Sequence, residues 1–163
     1  MSSPTEKKDV NLVISLMHRK SEDISTIVSE IEQRYGKIRD SIVLDFKFTK
    51  YYEKEFGTEL IKEYLFIGKK DIETFPDIKL FCFELEKKYS RDGKRIFNID
   101  PGYLTENSFI LASFKPRAHR IYLRDSVYAD LQLVYENNAW QGFKWTFPDV
   151  LEIKPFLQKI KCF

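Results

Sequence analysis

Apolar and polar positions along this chain switch between the two-residue period of a strand and the 3.6-residue period of a helix. Val10 to Met17 (VNLVISLM) is a nearly continuous apolar run, short enough for a central buried strand. A helix capped by Ser21 and running to about Tyr35 is predicted next. Its Ile24, Ile27, Val28 and Ile31 fall on one stripe, with Gly36 placed as a C-terminal cap. His18 lies at the strand-to-helix junction, a place for a surface or capping residue more often than for a ligand.

Ser41 to Thr49 alternates, with Ile42, Leu44, Phe46 and Phe48 on one side. YYEKEFG, ending in Gly57, reads as one helical turn or an ordered loop. Leu60 to Ile67 reads as a strand, with a helix as the alternative. From Asp77 the period is helical, Ile78, Phe81, Cys82, Leu85 and Tyr89 making one stripe, and SRDGKR ends it in a turn at Gly93. Strands follow: RIFNI, then a turn at Asp100-Pro101-Gly102, then FILASF. HRIYL and VYADLQLVY flank Arg124-Asp125-Ser126 as a hairpin. NNAWQG reads as a further turn before FKW. Pro148-Asp149 and Pro155 punctuate the entry to a closing helix carrying Phe156, Leu157 and Ile160, with Asp149 well placed as its N-cap.

This order predicts an α+β fold: a mixed or antiparallel sheet with helices packed mainly on one face. The first part is compatible with a ferredoxin-like split β-α-β arrangement, extended by a hairpin region and a C-terminal helix. One domain over residues 9–163, preceded by a disordered tail at 1–8, accounts for the length, and a chain of 163 residues buries a real core.

Composition adds limits. The 27 basic and 25 acidic residues nearly cancel, so no overall field argues for nucleic acid or an anionic membrane. Two cysteines, Cys82 and Cys162, fit free thiols in a reducing cytosol, and no apolar run is long enough to span a bilayer; a soluble cytoplasmic protein is expected. Fourteen Phe and nine Tyr make the core aromatic-heavy. No G-x-x-x-x-G-K-[ST], G-x-G-x-x-G or G-x-S-x-G occurs, nor any pairing of Cys or His at zinc spacing. These absences count against a conventional P-loop hydrolase, a Rossmann dehydrogenase and an α/β-hydrolase.

Candidate chemistry concentrates between Arg95 and Asp149. Lys115, Arg117, His119, Arg120 and Arg124 lie within ten positions, and cations this close resist joint burial unless an anion sits among them. A phosphate or carboxylate would meet that need, held by Lys115 and Arg120. His119 would exchange a proton, oriented by Asp100 or Asp125. The bland counterpart is internal pairing of Lys115 and Arg120 with Asp100, Asp125 or Asp149. Asp100, Asp125 and Asp149, joined by Asp45, would hold magnesium if they converged; otherwise they serve their own turns. Tyr103, Tyr122 and Trp145, with Tyr51, Tyr52 and Tyr128, offer faces for a base or sugar, although aromatics in strands mostly fill cores.

DFKFTKYYEKEFG, KLFCFELE, NIDPGYLT, LASFKPRAHRIYL, DSVYADLQLVY and WTFPD together resemble an uncharacterised bacterial family known as domain of unknown function forty-four sixteen. The resemblance runs over nearly the whole chain. It implies no reaction, although some members carry the label GTP-binding protein. Arg124 and Ser126 flank Asp125 where the family pattern has Gly, and Lys50 stands where it has Asp. The expectation is a small protein that binds a phosphate- or carboxylate-bearing metabolite, nucleotides included. The alternatives are a module for single-stranded RNA, whose strands would interleave cations with aromatics, and a structural or partner-binding protein.

Overall fold

A computed structural model describes residues 1–162; Phe163, the last residue of the expected domain, lies outside them. Eight strands form one antiparallel sheet, with helices on both faces. In chain order the elements are β1 (Asp9–Arg19), α1 (Ser25–Tyr35), β2 (Asp40–Asp45), α2 (Glu53–Phe56) and β3 (Leu60–Asp71). There follow α3 (Phe75–Lys88), β4 (Phe97–Leu104), β5 (Ser108–Ser113), β6 (Arg120–Arg124), β7 (Val127–Glu136), β8 (Ala139–Gly142), α4 (Pro148–Glu152) and α5 (Lys154–Ile160). The strand order is β2-β3-β1-β4-β5-β7-β6, and β8 shares the outer edge of β7 with β6. The first four strands with α1 and α3 make the ferredoxin-like β-α-β-β-α-β unit that the sequence suggested, and β5 to β8 extend its sheet.

Alternation along β1 explains the two layers. Leu12, Ile14 and Leu16 point to the face covered by Ile27 and Ile31 of α1 and by Ile78, Cys82 and Leu85 of α3. Val13 points the other way, into a core built with Tyr64, Phe66, Leu104, Phe109, Leu111 and Leu133 and closed by Val150, Phe156, Leu157 and Ile160 of α4 and α5. The two long helices share one face; the short C-terminal pair covers part of the other. Cys82 is fully buried, and burial pushes its thiol well above the ordinary range, so it is a packing residue. Among the described residues no helix is long and apolar enough to cross a membrane.

Local differences from the sequence reading have local causes. Ser21 lies in a turn; Asp23 is the side chain that accepts the first backbone N–H of α1, from Ser25 at 2.9 Å. His18 is inside β1 and buried, its ring nitrogens 3.1 Å from Glu63 Oε1 and 2.8 Å from the Arg19 carbonyl. The turn between β7 and β8 needs only Asn137 and Asn138, both at positive φ (51° and 60°), because Asn tolerates the left-handed region. AWQG is therefore a strand instead of turn, and FKW lies outside the strands. Asp125 and Ser126 close the β6–β7 hairpin in the same left-handed way.

The largest departure is at Asp100-Pro101-Gly102. These residues have turn chemistry, yet they lie within β4. β4 pairs with β1 along Phe97–Leu104 but with β5 only from Gly102 to Leu104, so the sheet is open beside residues 97–101. The Ile99 N–H faces that opening and is taken by Glu86 Oε1 at 2.7 Å. Residue 101 faces the same side, and proline leaves no N–H there to go unpaired. Gly102 sits where the strands come together again: a Cβ would lie 2.7 Å from Leu111 Cδ2 and 3.0 Å from the Ile110 carbonyl oxygen. Gly102→Ala should therefore overpack this junction and cost about 1–3 kcal/mol, read as a lowered urea midpoint with an unchanged m-value.

Candidate functional site

The opening between β4 and β5 is filled from α3. Lys79, Cys82 and Glu86 follow one another at helical spacing among the apolar Ile78 and Leu85, so α3 presses two charged side chains into the sheet. Ile99 packs toward α3, so Asp100 projects to the opposite face. The Lys79–Asp100 bond, 2.6 Å, consequently crosses the sheet through the gap. Asn98 donates to the second Asp100 oxygen at 2.8 Å, and Arg95 donates to Asn98 Oδ1 at 3.0 Å. Arg95 also forks onto Glu55 of α2 at 2.7 and 2.9 Å and lies 3.4 Å from Glu86. A polar chain thus runs from the surface at Glu55 to the interior at Lys79.

On the Asp100 face the strand register sets six side chains in a grid: Lys62 and Tyr64 on β3, Met17 and Ser15 on β1, Asn98 and Asp100 on β4. Asp149 comes down onto this grid from α4, 2.7 Å from Lys62 and hydrogen-bonded by the Tyr64 hydroxyl. Sequence had Asp149 as a helix cap; Phe147 occupies that position, and the carboxylate is spent on Lys62 and Tyr64 instead. Ser15, between Tyr64 and Asp100, is fully buried and its hydroxyl makes no hydrogen bond.

Charge and burial compete here with legible outcomes. Burial pushes the Asp100 carboxyl up, but the Lys79 ammonium, then Lys62 and Asn98, hold it below the usual carboxylate range. Burial likewise disfavours the Lys79 ammonium, and Asp100 outweighs it, raising the group. Glu86 goes the other way, raised by its burial and then by the Asp100 charge. The Tyr52 hydroxyl is pushed up to about 12 by burial and by its closeness to Asp100 and Asp149. The same buried network thus shifts two neighbouring carboxyls in opposite directions. Asp100 is the accessible member, its side chain 28% exposed.

The remaining residues singled out in the sequence fall elsewhere. Arg120 is bonded to Asp130 at 2.8 Å, to Ser113 Oγ at 3.0 Å and to the Lys115 carbonyl at 2.8 Å. His119 stands 3.4 Å from the same Asp130 and stacks on Trp145, centroids 4.7 Å apart, so its neighbouring carboxylate is Asp130 and not Asp100 or Asp125. Trp145 stacks in turn on Phe143 and donates to the Leu131 carbonyl. Tyr103 packs edge-on against Phe75. Tyr122 is exposed on β6, and Asp125 pairs with Arg124 at the hairpin. Asp45 is exposed at the end of β2. Of the carboxylates expected around magnesium, Asp100 and Asp149 share one face of the sheet, each paired with its own lysine, while Asp45 and Asp125 lie apart at the surface. No group of three or more metal-ligating side chains occurs among the described residues. Lys115 is exposed, its ammonium 5.6 Å from the ring centre of Tyr51.

Beside this loop lies a hollow of about 420 Å³ lined by Tyr51, Lys54, Glu55 and Lys94. Its Glu55 is the outer end of the polar chain to Asp100. Among the described residues Lys54, Lys94 and Lys115 make no ion pair.

Fold and site together define an α+β protein, a ferredoxin-like unit with an extended antiparallel sheet and a charged centre at its opening. The family described as Domain of unknown function (DUF4416) matches residues 8–162, and the chain belongs to it. No curated protein and no solved structure matches the chain.

Opposite shifts give opposite pH signatures. Asp100, depressed, contributes stability present above its unfolded value and lost as pH falls through the folded one. Asp100→Asn should cost about 3–5 kcal/mol at pH 7, and the deficit should shrink below about pH 4. Glu86, raised, contributes stability present at low pH and lost as pH rises through its folded value. The melting temperature of Glu86→Gln relative to the parent should thus climb as pH increases above about 4.5. Thermal melts of both variants between pH 3 and 8 read the two trends.

Proposed function

We propose that this protein binds a small phosphate- or carboxylate-bearing metabolite, nucleotides included, in the hollow beside Tyr51. The observation that carries the reading is three lysines that make no ion pair among the described residues, Lys54 and Lys94 lining the hollow and Lys115 beside its Tyr51 ring, around one exposed aromatic face. Cations on a shared hollow attract an anion, and a ring set among them offers a stacking platform. Arg120 serves the site indirectly: its bond to the Lys115 carbonyl fixes the loop that carries the ammonium. His119, on that loop, is assigned the proton-exchanging role with Asp130 as its orienting carboxylate.

A second reading has its own support. Arg120, Asp100 and Asp149 each have an internal counter-ion, Asp130, Lys79 and Lys62, as a scaffold or partner-binding protein would arrange them. Thermal shift with inorganic phosphate, mononucleotides and di- and tricarboxylates separates the two. A ligand at a hundred times its dissociation constant should raise the melting temperature by roughly 5–10 °C. The rise should fall with added salt and vanish in Lys54→Ala/Lys94→Ala/Lys115→Ala. A flat response across the panel would favour the scaffold reading. A low-salt gel shift with single-stranded RNA and no response to mononucleotides would favour RNA.

A further inference from the structure

β6 is an end of the sheet, and its outer backbone edge pairs with no strand among the described residues. Between its terminal arginines, Arg120 turned inward and Arg124 paired with acids, Ile121, Tyr122 and Leu123 are 67%, 58% and 40% exposed, three apolar side chains in succession. The opposite edge, β2, has aspartate at both ends and Val43 as its exposed apolar residue. A register irregularity between Tyr122 and Arg124 turns the β6 side chains without burying them.

What lies beyond each end of β6 indicates the occupant. Before it come Lys115, held near Tyr51, and Arg117, exposed and with no ion pair among the described residues. After it, Arg124 faces two carboxylates, Asp125 and Asp77, both more than half exposed, and Arg34 also acts on Asp77. One end is basic, and the other presents the exposed Asp125 carboxylate, whose only ion pair among the described residues is with its neighbour Arg124.

We propose that β6 pairs antiparallel with β6 of a second copy of this chain about a twofold axis at Tyr122. In that register Ile121 of each copy meets Leu123 of the other, and the two Tyr122 rings meet at the axis, each already edge-on to its own Tyr128 at 5.4 Å. The same operation sets Arg117 of each copy beside Asp125 of its partner, twice over. The Arg120 guanidinium, turned inward onto Asp130, does not oppose the partner's Arg124. A parallel arrangement would instead place basic end on basic end.

Sedimentation equilibrium of the full chain from low to high micromolar concentration tests this. The expected result is reversible growth from 19.5 kDa to twice that mass, weakened by salt. Tyr122→Lys should abolish the dimer while leaving the melting temperature of the monomer unchanged, whereas Val43→Lys on the opposite edge should leave the dimer intact. Arg117→Ala and Asp125→Asn should each weaken association about tenfold, and the double variant no more than either one. Asn keeps the left-handed turn at position 125, so this variant reads charge alone. A wild-type chain that stays monomeric throughout, a dimer indifferent to Tyr122→Lys, or additive losses in the double variant would each overturn the proposal.

Discussion

The rest of this structure depends on how one gap in a sheet is filled. Where β4 and β5 part, backbone groups that would be laddered face protein interior, and each left without a partner would cost about as much as a lost hydrogen bond. Glu86 takes the Ile99 N–H, Pro101 removes the next donor, and Lys79 passes through to Asp100. Each of these groups needs another: Glu86 has Arg95, Asp100 has Asn98, and Arg95 has Glu55 at the surface. A defect in backbone pairing has become a line of charge from solvent to interior.

That line also ties the helices to the sheet. The Asp100–Lys79 pair holds α3 to β4, while Asp149–Lys62 holds α4 to β3, and Tyr52 lies close to both carboxylates. Buried pairs of this kind add little over well-packed apolar side chains, yet breaking one leaves an uncompensated charge. The hollow at Tyr51 differs because its lysines have no such obligations. Its nearest tie to the interior is Glu55, already engaged by Arg95.

Much of the architecture could be read from the chain because the signals were local. The apolar run of β1, the stripes of α1 and α3 and the Arg124–Ser126 hairpin each state their conformation within a dozen residues. Asp100-Pro101-Gly102 misled because turn chemistry and the chemistry of a half-paired strand coincide: proline for want of a partner, glycine for want of space. Lys79 and Glu86 left a trace, charges on the same helical stripe as Cys82, and Asp130 and Gln132 left another inside an apolar strand. Such residues announce that a partner exists without saying which. Asp149 met Lys62 and His119 met Asp130 by tertiary packing, which no spacing along the chain encodes.

The placement of α4 and α5 bears on how the molecule comes into being. Val13, Tyr64 and Phe66 belong to the first half of the chain, yet their cover is Val150, Phe156, Leu157 and Ile160 near its end. During synthesis the ferredoxin-like half emerges with one greasy side bare and with the Lys62 amine lacking the carboxylate that will neutralise it. Completion of the fold must wait for residues 148–160 to be made, and until then the nascent sheet keeps that apolar side uncovered.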